Sequence, residues 1–117
     1  MRPVADRPDE SETKPLTEPV LLILLSLANK PGHGYGLMQD IELLSKGRVR
    51  LSTGTLYGAL RRLLEDSWIE RFDQTDTSRE KQAYKLSSLG RKHLHLEISR
   101  MNQLTKAANA RLKARRI

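Results

Sequence analysis

The sequence predicts a mainly α-helical chain with one small β-hairpin and a long closing helix. Three observations carry that expectation. Apolar residues recur at helical spacing in separate segments, a polar stretch divides two short β-type runs, and residues 88–117 hold a heptad pattern. With 117 residues the chain has room for one modest core. It has no cysteine, which excludes disulfides, thiolate metal sites and cysteine nucleophiles, and it fits a reducing, cytoplasmic setting.

Residues 1–15 are polar, contain Pro3, Pro8 and Pro15, and show no hydrophobic period, so they read as a disordered arm. The first helix is expected from Thr17, a good N-cap, to about Asn29, with Pro19 tolerated in its first turn and Lys30, Pro31 and Gly32 ending it. Its run VLLILLSLA at 20–28 is apolar nearly all round and must be enclosed. At nine residues the run is too short to cross a bilayer, which takes about twenty, so no membrane association is expected.

A turn over 32–34 leads into a second helix, with Leu37, Met38, Ile41 and Leu44 on one face and Gly47 as its stop. Residues 49–51 could add a short strand. A third helix, from about Ser52 to Asp66, places Leu56, Leu60, Leu63 and Leu64 on one side. Gly54, Gly58, Arg61, Arg62 and Glu65 occupy the other. Glycine costs a helix about 1 kcal/mol relative to alanine, so two on an outer face point to close approach by another molecule. Strands follow at 68–72 and 82–86 around a polar loop.

Helix, helix, helix and hairpin is the order of a winged helix-turn-helix. In that arrangement the third helix enters the major groove of DNA and the hairpin loop lies alongside as a wing. After Ser87, which reads as its N-cap, the last helix carries Leu94, Ile98, Met101, Thr105, Ala108 and Leu112 at alternating steps of four and three. Such a seam packs on its own domain or on a copy of itself, and the basic remainder of the helix favours the homodimer. The expected organisation is thus an arm over 1–15, a winged helix-turn-helix over 16–87 and a dimerisation helix over 88–117.

Charge agrees with a polyanionic partner. The net charge of +7 divides as −2 over residues 1–18, +2 over 19–90 and +7 over 91–117. Lys46, Arg48, Arg50, Arg61 and Arg62 stand together without an intervening acid. Double-stranded DNA is the expected partner. The hydroxyls and N–H groups of Ser52, Thr53, Gly54 and Thr55 would reach phosphates or base edges at the start of the third helix. Arg61 and Arg62 suit phosphates, with a solvated face as the competing reading. Tyr57 serves either the core or a phosphate through its hydroxyl. Tyr35 is expected to pack by its ring, its hydroxyl near the DNA backbone being the lesser role.

Arg79 and Lys81 are wing candidates for the minor groove, beside the acids Asp73, Asp76 and Glu80. Trp68 reads as an anchor between the third helix and the hairpin. His93 and His95, two apart on a helix, cannot share a face, and neither a catalytic constellation nor a metal or cofactor site stands out. An enzyme is not expected. Two other classes compete with the DNA-binding reading: a protein-interaction module built on the closing helix, and a basic helix lying on a membrane. The second lacks the bulky face it needs, because Thr105 and Ala108 interrupt the seam.

These residues resemble the PadR family of bacterial transcriptional regulators, in its short subgroup with one C-terminal dimerisation helix. The stretch LSTGTLYGALRRL at 51–63 is similar to the family's LSPGTLYPALRRL. His33, Gly34, Tyr35 and Leu37 also match, as does YKLSSLG at 84–90 beside the family's Y-x-L-T-x-x-G. Thr53 and Gly58 stand where the family usually has proline, Gly36 replaces a charged residue, Ser67 and Trp68 replace Gly-Leu, and the wing is more acidic. The resemblance implies a homodimeric repressor on a pseudo-palindromic operator, with a small-molecule inducer in some members. The flat aromatic ligands of some short members have no matching residue here, since the closing helix carries no aromatic side chain.

Overall fold

In a computed structural model the protein is described over residues 15–73 and 82–114. Seven elements follow in order: α1 (Glu18–Asn29), β1 (Gly32–His33), α2 (Gly34–Leu44), α3 (Thr53–Glu65), β2 (Ile69–Asp73), β3 (Ala83–Leu86) and α4 (Ser88–Ala114). The described residues divide into two units, Thr17–Leu94 and a second that joins residues 15–16 with residues 95–114.

Within the first unit, Thr17 caps α1 by accepting the Val20 N–H on Oγ1. Leu22, Ile23, Leu24, Ser26 and Leu27 are buried, as expected of a helix apolar on most sides. Ser26 is satisfied there by donating to Asp40 of α2 at 2.5 Å. The α2 helix buries Leu37 and Ile41 and half-buries Met38, but Leu44 is 48% exposed and leaves the expected face. Three residues after Ile41, Leu44 falls in the last turn, where the chain is already leaving the helix. Ser45 donates its N–H to the Ile41 carbonyl and Gly47 donates to that of Glu42. Gly47 (φ +81°) takes the left-handed conformation that glycine permits, so it ends α2 as expected.

Two β expectations need correction. Residues 49–51 form no strand: the Val49 N–H is taken by the buried Ser45 side chain at 2.9 Å, which leaves the segment an extended link into α3. The sheet is also larger than a hairpin. It has three antiparallel strands in the order β1-β3-β2, with Gly32 opposite Tyr84 and His33 opposite Ala83. The expected turn at 32–34 is therefore a strand running directly into α2.

Register explains the sheet's two faces. Ile69, Arg71, Tyr84 and Leu86 share one face, because Ile69 pairs with Leu86 and Arg71 with Tyr84. Ile69, Tyr84 and Leu86 of that face are buried against the core. On the other face Lys85 pairs with Glu70 at 3.8 Å and lies over the Phe72 ring at 5.8 Å. Between Arg71 and Asp73 the register shifts, a bulge at the end of β2.

The junction of β3 and α4 is closely fixed. Ser87 Oγ donates to the Ser67 carbonyl at 2.6 Å and accepts the Gly90 N–H at 3.0 Å, so Ser87 caps α4 as expected. Its own N–H donates to the Trp68 carbonyl at 3.0 Å. A side chain at Gly90 would strike that same carbonyl, so only glycine fits there. Trp68 is half-buried and stacks on His93 of α4, ring centres 4.2 Å apart and 17° from parallel.

The second unit contains the rest of α4. Glu97 is buried and accepts from Arg100 at 2.6 and 3.0 Å and from the Leu16 N–H at 3.4 Å. The Arg100 hydrogen bonds hold its carboxyl below the usual carboxylate range, against the opposing pull of burial.

A candidate nucleic-acid interface on α3

The leucine spacing of α3 decides which side it offers to solvent. Leu56, Leu60 and Leu63 are buried and Leu64 is half-buried. Thr53, Gly54, Thr55, Gly58, Arg61, Arg62 and Glu65 are exposed. Ser52 caps the helix, accepting the Thr55 N–H at 3.1 Å and donating to Thr55 Oγ1 at 3.0 Å. The Thr53 and Gly54 N–H groups have no acceptor among the described residues, so they add to the positive end of the helix dipole.

Gly54, Gly58 and Arg61 recur at steps of four and three, on one strip of the exposed face. Nothing lies within 4 Å of where a side chain would start at Gly54 or Gly58. Both glycines thus open the helix backbone to a close neighbour. Arg61 and Arg62 have no carboxylate partner among the described residues, whereas Arg48 is paired with Glu18 and Arg50 with Glu42. The cations of α3 are therefore available to an outside anion, and those of the preceding link are partly neutralised.

The two tyrosines separate. Tyr57 is buried, and its hydroxyl fills the space against Gly34 where a side chain on that glycine would sit. It locks α3 to the start of α2, which is the core reading left open by the sequence. Tyr35 is 66% exposed, so its ring does not pack as expected. Position explains this: Tyr35 stands in the first turn of α2, whose inward positions are taken by Gly34 and Leu37. Arg79 and Lys81 lie outside the described residues. Sequence reasoning missed Arg71; its place on the core-facing side of β2 follows only from the strand register.

Along α4 the heptad positions also separate. Leu94 is 4% exposed and belongs to the core of the first unit, so it is unavailable to a seam between copies. Ile98, Met101, Thr105, Ala108 and Leu112 are exposed, and Leu104 joins them. Among the described residues, no group of three or more His, Asp or Glu could hold a metal, and no helix is long and apolar enough to cross a membrane.

Three helices and a three-stranded sheet, its first strand between α1 and α2 and its other two after α3, with α2 and α3 as the helix-turn-helix pair, define a winged helix-turn-helix domain. The transcriptional regulator PadR-like family matches residues 23–96, more than half of the chain. The chain belongs to that family. Solved structures agree in fold. A PadR family regulator from Clostridium difficile is 22% identical, with a TM-score of 0.67 over 82% of this chain and 99% of that one. A PadR-like regulator from Bacillus cereus is 19% identical, with a TM-score of 0.65 over 80% and 89%. A PadR-like transcription factor from Bacteroides fragilis is 24% identical, with a TM-score of 0.64 over 78% and 86%. Comparison with curated proteins gives no match.

Proposed function

We propose that this protein is a sequence-specific DNA-binding repressor that acts in the cytoplasm as a homodimer on a pseudo-palindromic operator. The observation that carries the reading is the exposed face of α3: a capped N-terminus, two glycines with open space around them, and two arginines without ion-pair partners among the described residues. Ser52, Thr53, Gly54 and Thr55 approach the base edges, where hydroxyls and backbone N–H groups suit a helix entering N-terminus first. Arg61 and Arg62 hold phosphates and set the register. Tyr35, exposed at the start of α2, offers its hydroxyl to the DNA backbone, and the charges of Arg79 and Lys81 suit the minor groove.

Dimerisation is proposed through Ile98, Met101, Thr105, Ala108 and Leu112, whose apolar members are exposed along one side of α4. A two-fold dimer places two α3 helices on half-sites about one helical turn apart. Occupying such a site blocks a promoter, and a small-molecule inducer would release it. Arg62→Ala tests the orientation of α3. Affinity should fall by a similar factor on every duplex and the salt slope by about one. An unchanged slope, with the fold intact by circular dichroism, would remove Arg62 from the interface and turn α3 away from DNA.

A further inference from the structure

A groove of about 320 Å³ runs between α3 and the sheet. Tyr57 and Leu60 of α3 and Tyr84 of β3 are among the residues that line it, and all three are buried. Its remaining lining includes Arg61 of α3, Arg71 of β2 and Gln82. Among the described residues no carboxylate lines it, so two guanidinium groups share one concavity without a described counter-charge. Two like charges brought together in this way call for an anion.

The strand register is what brings Arg71 there. It follows Ile69 on the core-facing side of β2 and pairs with Tyr84, just where the buried part of that face ends. Its Nε donates to Gln82 Oε1 at 3.2 Å, and the same oxygen lies 3.4 Å from the Tyr84 hydroxyl. With Nε engaged, both terminal nitrogens of the guanidinium remain, the pair that binds a phosphate in bidentate fashion. Across the groove Arg61 stands one helical turn after Gly58, which has open space around it. A sugar-phosphate strand can therefore pass close to α3 at Gly58 and continue into the groove.

The geometry points to a seat for one DNA phosphodiester in this groove, clamped between Arg61 and Arg71, with Gln82 as a positioning residue for Arg71. The inference rests on the DNA-binding reading above and adds a contact that belongs to the sheet rather than to the recognition helix or the wing loop. It also makes Arg71 independent of sequence readout, because a phosphate is the same at every base pair.

The test measures binding of the full chain to a selected duplex across a salt series. Arg71→Ala should weaken binding about tenfold and lower the salt slope by about one. Gln82→Ala should weaken binding while keeping the slope, since the charge remains and only its aim is lost. A neutral methylphosphonate at one phosphate per half-site should reproduce the Arg71→Ala loss and add nothing to it. An Arg71→Ala protein with the wild-type slope overturns the inference, as does the lack of any methylphosphonate position that fails to add. Inorganic phosphate at matched ionic strength should compete no better than chloride. Stronger competition against wild type than against Arg71→Ala would make the groove a free-anion site instead. Wild-type protein that shows no salt-dependent binding to any duplex would fail earlier, at the DNA-binding reading itself.

Discussion

Gly58→Ala should move stability and function in opposite directions. Gly58 has helical backbone geometry within α3, and nothing lies within 4 Å of the position its new methyl group would take. The methyl therefore meets no steric cost in the free protein. The helix gains the difference in propensity, about 1 kcal/mol, chiefly because alanine loses less conformational freedom on folding. For a domain of this size that corresponds to a rise in melting temperature of about 4–8 °C. On DNA the same methyl occupies the space through which the duplex approaches the helix backbone, so affinity should fall. Thermal melting and a DNA titration at fixed salt read the two effects. Gly36→Ala is the control: this glycine, on α2, is equally open and should stabilise the protein with little change in binding. A Gly58→Ala protein that melts higher and binds DNA as tightly as wild type would refute the argument that the glycine keeps α3 open for DNA.

Three further outcomes follow from the packing. Gly90→Ala puts a methyl group onto the Trp68 carbonyl, which is backbone and already accepts the Ser87 N–H, so we expect a loss of about 3 kcal/mol or more in chemical denaturation; a loss below about 1 kcal/mol would mean that the junction yields. Ile98→Glu places a charge in the exposed seam of α4 and should convert a dimer to a monomer in sedimentation equilibrium; an unaltered dimer would move the interface elsewhere. His93 gives a pH dependence. Burial, with Lys92 adding to it and Asp66 opposing, holds its pKa below the ordinary value of about 6.5, and its Nδ1 is buried without a hydrogen-bond partner among the described residues. The unfolded chain therefore takes up a proton before the folded one as acid is added, and stability should fall as pH drops through about 6.5. His93→Gln should flatten that part of the profile, and a profile identical to wild type would assign the dependence to another group.

Much of this was legible from residue spacing. The leucines of α3 fix its inward face through a 3.6-residue period, and the outward face follows by exclusion. Caps at Thr17 and Ser87 were readable because a hydroxyl at a helix start has one common use. Misreadings occurred where the deciding partner is distant in sequence. Residues Gly32 and His33 look like a turn and become a strand only because β3, some fifty residues later, pairs with them. The same strand register, not any local pattern, carries Arg71 into a groove with Arg61. Leu94 continues the heptad spacing of Ile98 and Met101, yet it is buried in the first unit. Periodicity shows that a helix has a face but not which neighbour covers it. Tyr35 shows the converse: an aromatic residue invites a packing role that smaller neighbours had already filled.

The central claim is that α3 reads a specific two-fold DNA sequence. Selection of bound fragments from a random duplex pool by the full chain, followed by affinity against salt on the winner, tests it most directly. An enriched palindrome with half-sites about one helical turn apart and a steep fall in affinity with salt are expected. Salt-sensitive binding with no enriched motif would contradict it and leave a basic protein whose third helix does not read bases.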